Sequence, residues 1–117
     1  VVHRGGALTD YAPDVELHGG VPPAEGEMVI VKKRASAFHG TYLAGYLRAQ
    51  RVDTVILTGV TMAGCVRHST EDAIAEGFRP ILVREGVGDR VPGVVEWNLF
   101  DIDAKFGDVH CVKHRGQ

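Results

Sequence analysis

The sequence predicts an α/β fold, a three-layer, doubly wound and mostly parallel sheet, on three observations. Short continuous apolar runs such as Met28-Val29-Ile30-Val31 and Val55-Ile56-Leu57 suit strands covered on both faces. Helical stripes lie between these runs and stop at glycine, as at Gly77 and Gly107. The strand-to-helix order repeats, which implies right-handed crossovers and helices on both faces of the sheet.

Each element follows in turn. Residues 1–27 read mostly as loop, because Gly5-Gly6, Gly19-Gly20, Pro22-Pro23 and Gly26 interrupt any period, although Val1-Val2-His3 suits the tail of a strand. Strand 28–31, helix 41–50, strand 54–58 and helix 65–76 come next. Strand 79–83 precedes a helix whose stripe is Val95, Leu99, Ile102 and Phe106, and 109–112 is a last short strand. The whole chain, 1–117, reads as a single domain.

The composition narrows the function classes. With 13 Lys and Arg against 15 Asp and Glu, the formal net charge is -2, which gives no electrostatic case for nucleic acid or an anionic membrane. Neither a membrane-spanning run nor a secretory signal is read in the sequence, so the cytoplasm is the expected location. Cys65 and Cys111 are too few for a disulfide framework, and a free thiol is expected.

Chemistry in such sheets gathers at the carboxyl ends of the strands, here 32–36, 61–65 and 85–90. The segment Leu57-Thr58-Gly59-Val60-Thr61-Met62-Ala63-Gly64-Cys65-Val66-Arg67 runs from strand through glycine-rich turn to a cysteine that begins a helix. A helix N-terminus favours thiolate over thiol, so Cys65 is a candidate nucleophile. Lys32 ends the preceding strand, which the pattern places beside that of Cys65, and an ammonium next to a sulfur favours the same anion. Cys111, inside the last expected strand, has no such setting.

These residues resemble the isochorismatase-like cysteine hydrolases, and among them the N-carbamoylsarcosine amidase branch. The resemblance covers about residues 26–109. It rests on Gly26-Glu27-Met28-Val29-Ile30-Val31-Lys32-Lys33, Ser36-Ala37-Phe38 with Gly40-Thr41, Gly59-Val60-Thr61 with Gly64-Cys65-Val66-Arg67, Asp72-Ala73 with Gly77-Phe78-Arg79-Pro80, and Asn98-Leu99-Phe100-Asp101 with Ala104-Lys105. It implies that Cys65 is the nucleophile and Lys32 the lysine of an Asp-Lys-Cys triad. It also implies a cis peptide at Val60-Thr61, which directs the N–H groups of Thr61 and Cys65 into an oxyanion hole. Arg90 matches an arginine that holds a substrate carboxylate, for which a planar guanidinium is suited.

The resemblance implies a homo-oligomeric, cofactor-free amidohydrolase that cleaves a C–N bond of a small carbamoyl or amide substrate bearing a carboxylate. The covalent intermediate is on cysteine, and ammonia leaves. Metal is not expected, since His39, His68, His110 and His114 do not form the aspartate and histidine set of nicotinamidase-type members. One departure stands out. The family's triad aspartate ends an early apolar strand, and Asp10, Asp14, Glu16, Glu25 and Glu27 follow no such run, so the fold is expected to be incomplete at its N-terminus. The chain then reads as the C-terminal portion of the fold, or as one completed by a chain supplying that segment; Glu85 is a local substitute of small weight. Alternative readings are a nicotinamidase, biuret or ureido-type amidase, and a non-catalytic remnant or interaction subunit.

Overall fold

The computed structural model describes the backbone of Val2–His3 and residues 24–112. The loop expected over 4–23, with Asp10, Asp14 and Glu16, and His114 lie outside the described residues. Strand β1 (Val2–His3) pairs in parallel with β2 (Val31–Lys32). A second parallel sheet has the order β3 (Thr54–Val60), β4 (Arg79–Gly88), β5 (Asp108–His110). Helix α1 (Leu43–Ala49) precedes β3, α2 (Arg67–Ala75) links β3 to β4, and α3 (Pro92–Lys105) links β4 to β5.

Parallel strands joined by helices give the α/β class that the alternating pattern predicts. Pro92 opens α3, where its missing N–H costs nothing, and Lys105 stands in the last turn near the negative end of the dipole. One core joins Met62, Val66, Leu82, Leu99 and Ile102, with Leu57, Val95 and Phe106 packed against it. A second joins Phe38, Ala73 and Phe78 with Leu43, Leu47 and Val55. Burying each of the larger side chains is worth roughly 1.5–3 kcal/mol.

The strands differ from expectation in three ways. The run 28–31 yields only a two-residue ladder at β2, because pairing rather than apolar sequence defines a strand, and among the described residues only β1 lies against it. Strand β4 continues to Gly88 instead of stopping at Val83, since pairing resumes beyond a bulge with Gly59 opposite Val87 and Val60 opposite Gly88. Gly86 is required there, as a Cβ would fall 2.6 Å from the Thr58 side chain. Among the described residues, β2 and β3 are not paired with one another, so the strands carrying Lys32 and leading to Cys65 are not sheet neighbours. The described helices pack against Val55, Leu57 and Leu82, whereas Ile56 on the opposite face is 68% exposed.

Candidate functional site

The site starts where β3 ends. Gly59 takes a φ of +135°, the Val60-Thr61 peptide bond is cis, and residues Met62–Val66 form a wide π-type turn before α2 begins at Arg67. Cys65 therefore sits in the turn, ahead of the regular helix that the sequence starts at residue 65. The Val66 N–H, reaching back five residues to the Thr61 carbonyl at 3.2 Å, makes the turn wide. That carbonyl also accepts the Gly64 N–H at 3.1 Å, and it skips the N–H of Cys65. Buried Met62 anchors the turn in the core. Gly64 is fixed by close approach, because a Cβ would lie 2.7 Å from Thr61 Oγ1.

Lys32 reaches this turn across the space between the two sheets. Its Nζ donates to Cys65 Sγ at 3.4 Å and to the carbonyls of Arg34 and Ala35 at 3.1 and 3.0 Å. The residue is only 5% exposed, and carbonyl acceptors offset the cost of taking an ammonium out of water. Two buried serines hold the loop supplying those carbonyls: Ser36 Oγ accepts the Phe38 N–H at 3.1 Å, and Ser69 Oγ accepts the Ala37 N–H at 2.9 Å. Ser69 lies on α2 four residues beyond Cys65, so the helix that follows the cysteine turn also holds the lysine's loop. Reading the sequence missed it, although the i, i+4 spacing from Cys65 was visible. A cleft of about 530 Å³ opens at this point, lined by Lys32, Phe38, Leu47, Ile56, Val60 and Cys65.

Arg90 follows β4 and is exposed. Its neighbour Asp89 is not its ion-pair partner. Asp89 Oδ2 accepts the Ala63 N–H at 3.0 Å and Oδ1 accepts the Arg90 N–H at 2.7 Å. These backbone bonds, that from Ala63 first, hold the Asp89 carboxyl below the usual carboxylate range. Glu85 lies within β4 and accepts the Val112 N–H at 3.0 Å, which directs it to the β5 side of β4 and away from β3. Glu85 is not among the residues that line the cleft beside Cys65. Cys111 lies just past β5 and is exposed, not inside a strand as the sequence suggests. His68 Nδ1 lies 2.7 Å from the Gly64 carbonyl. Among the described residues no group of three or more His, Cys, Asp and Glu could hold a metal ion, and no helix is long and apolar enough to cross a membrane.

Behind the turn, Arg67 ties α2 to α3. Its guanidinium donates to Asn98 Oδ1 at 3.0 Å, Asp101 Oδ2 at 2.7 Å and Glu71 Oε2 at 2.8 Å, and lies 5.4 Å from the Phe106 ring centroid. The hydrogen bonds from Lys105 and Arg67 lower the Asp101 carboxyl.

Known proteins share this arrangement of elements. A model of the isochorismatase domain matches residues 2–113. N-carbamoylsarcosine amidase of Arthrobacter sp is 67% identical over 89 residues, covering 76% of this chain and 34% of the relative. Maleamate amidohydrolase of Pseudomonas putida is 56% identical over 89 residues, covering 76% of this chain and 42% of the relative. The chain thus spans between about a third and a half of the length of these relatives. The crystal structure of an isochorismatase family protein from Desulfovibrio vulgaris superimposes with a TM-score of 0.79 at 37% identity, over 84% of this chain and 52% of that one.

Proposed function

The chain belongs to the isochorismatase family, and from that premise we propose that it carries the nucleophile of a cofactor-free cysteine amidohydrolase. The observation supporting this reading is the buried Lys32 ammonium 3.4 Å from Cys65 Sγ, at the mouth of a cleft. Lys32 stabilises the thiolate, and Cys65 attacks the carbonyl carbon of a small amide or carbamoyl group. The N–H groups of Thr61 and Cys65 receive the developing oxyanion, where loss of one donor typically costs on the order of 3 kcal/mol. A carboxylate takes the thiol proton and returns it to departing ammonia, and water releases the acyl or carbamoyl group from sulfur.

That carboxylate comes, in this reading, from an extended segment seated between β2 and β3, supplied by this chain outside its described residues or by a partner chain. Both strands are parallel members of separate sheets, and the cleft follows β3 from Val55 to Val60. The substrate bears a carboxylate held by Arg90. Carbamoylsarcosine and maleamate, named for the two relatives, are both carboxylates with a carbamoyl or amide group. The protein acts in the cytoplasm as a homo-oligomer, to which the exposed Trp97 and Phe100, rings 5.7 Å apart on α3, offer an apolar face.

Ammonia release from N-carbamoyl amino acids and from uncharged amides tests the reading. It is measured with the 117-residue protein alone and mixed with an apolar peptide ending in aspartate. General acid–base help predicts about a 10²–10⁴-fold gain with the peptide, lost in Cys65→Ala and with an asparagine-ended peptide. Preference for uncharged amides removes Arg90 from substrate binding. Turnover of roughly 1–10³ s⁻¹ by the protein alone would remove the need for an added carboxylate. No ammonia in any mixture would leave the interaction-subunit reading.

A further inference from the structure

Asp89 is read most simply as a surface partner for Arg90, and the geometry points elsewhere. Among the described residues it forms no ion pair, and both oxygens accept backbone N–H groups, one from Ala63 in the cysteine turn and one from Arg90. We propose that Asp89 is a positioning residue which locks the Cys65 turn and Arg90 into one frame. The inference rests on the amidohydrolase reading, because the frame matters to catalysis only if Cys65 attacks and Arg90 grips the substrate.

The turn needs such a tie. The Thr61 carbonyl already holds the N–H groups of Gly64 and Val66, and the Ala63 N–H, two residues before the nucleophile, goes to Asp89. That bond joins the end of β3 to the end of β4 just beyond the last paired residues, Val60 and Gly88. A carboxylate accepting N–H groups makes charge-assisted bonds stronger than neutral ones. The two lone-pair sides of one rigid group then set where the Arg90 backbone starts relative to the sulfur. Misplacement of about 1 Å costs on the order of 100-fold in rate, so a shared tether is a direct way to keep clamp and nucleophile in register. Asparagine has one oxygen, and its NH2 group would face an N–H donor, so it restores at most one of the two bonds.

The test compares wild type with Asp89→Asn and Asp89→Ala in the 117-residue protein. By NMR, the Ala63 amide proton should shift with pH along the Asp89 carboxyl titration, with a midpoint below the usual carboxylate range. In Asp89→Ala amide exchange at both Ala63 and Arg90 should rise about tenfold or more, and in Asp89→Asn at one or both of them, while exchange at Ile102 stays unchanged, which separates a local tether from general loosening. Protection of Cys65 from iodoacetamide by an N-carbamoyl amino acid should weaken about tenfold in Asp89→Ala, as in Arg90→Ala, with no further loss in the double variant. Protection by an uncharged amide should not change. Wild-type exchange at Ala63 and Arg90 in Asp89→Ala would overturn the proposal, as would full additivity of the two substitutions. If no carboxylated ligand protects wild-type Cys65, the amidohydrolase reading fails on its own, and the exchange rates still decide whether Asp89 ties the two segments.

Discussion

The two edges of β3 differ. Toward β4 the strand is paired from Thr54 to Val60, and its inward Leu57 packs on a core closed by Leu82, Leu99 and Ile102. Toward β2, among the described residues, it meets a cleft instead of a strand, and Lys32 reaches across to Cys65. The comparison teaches where each kind of work is done. Burial on the closed edge holds the fold and, through Met62 and Asp89, the turn, whereas polar contacts on the open edge hold the ammonium beside the sulfur.

Removing one apolar side chain from each side is the strongest way to break this comparison. Leu99 is 1% exposed and Ile56 68%. We expect Leu99→Ala to cost about 2–5 kcal/mol, from lost burial and the cavity left behind, in urea unfolding. Ile56→Ala should fall within about 0.5 kcal/mol of wild type, as for an exposed position away from special contacts. A large loss in Ile56→Ala would show that this face of β3, which lines the cleft, is covered in solution, and the comparison would then describe an interface.

A second substitution acts on the open edge alone. Lys32→Met keeps much of the buried stem and removes the ammonium from Cys65 Sγ. We expect alkylation of Cys65 by iodoacetamide near neutral pH to slow about tenfold or more, while Cys111, beside Arg84, keeps its rate. Mass-spectrometric mapping of both cysteines reads the two rates in one sample. Equal slowing at Cys111 would indicate general disturbance rather than loss of a local charge.

The closed edge was the more legible one in the sequence. Val95, Leu99, Ile102 and Phe106 recur at helical spacing, and all four meet in one core. The strand from residue 54 and the helix stop before Gly77 were visible for the same reason, since period and punctuation are local properties. Pairing is not local. Whether Met28-Val29-Ile30-Val31 becomes a long strand depends on a neighbour that its own residues do not specify, and only Val31–Lys32 pair. The extension of β4 to Gly88 likewise depends on Gly59 and Val60 across the ladder. At the site, residue types pointed to Cys65 and Lys32. The supporting contacts of Ser69 and Asp89 run through backbone N–H groups of Ala37 and Ala63, which every residue but proline possesses, and so leave no mark in composition.

The last and smallest effect sharpens the closed side by pH. Asp101, 8% exposed, accepts from Lys105 and Arg67, and these bonds lower its carboxyl below the ordinary value of about 3.9. The folded protein therefore binds fewer protons at this group than the unfolded chain does. Its contribution is complete above the unfolded value and is lost as pH falls through the folded one. Asp101→Asn should accordingly be less stable than wild type at pH 6, and the difference should shrink steadily in urea titrations taken down to pH 3. Ile56→Ala, with no titratable contact, should show no such trend. A difference for Asp101→Asn that stays constant from pH 6 to pH 3 would mean that the tie between α2 and α3 works through shape and neutral hydrogen bonds, with the charge of Asp101 contributing nothing.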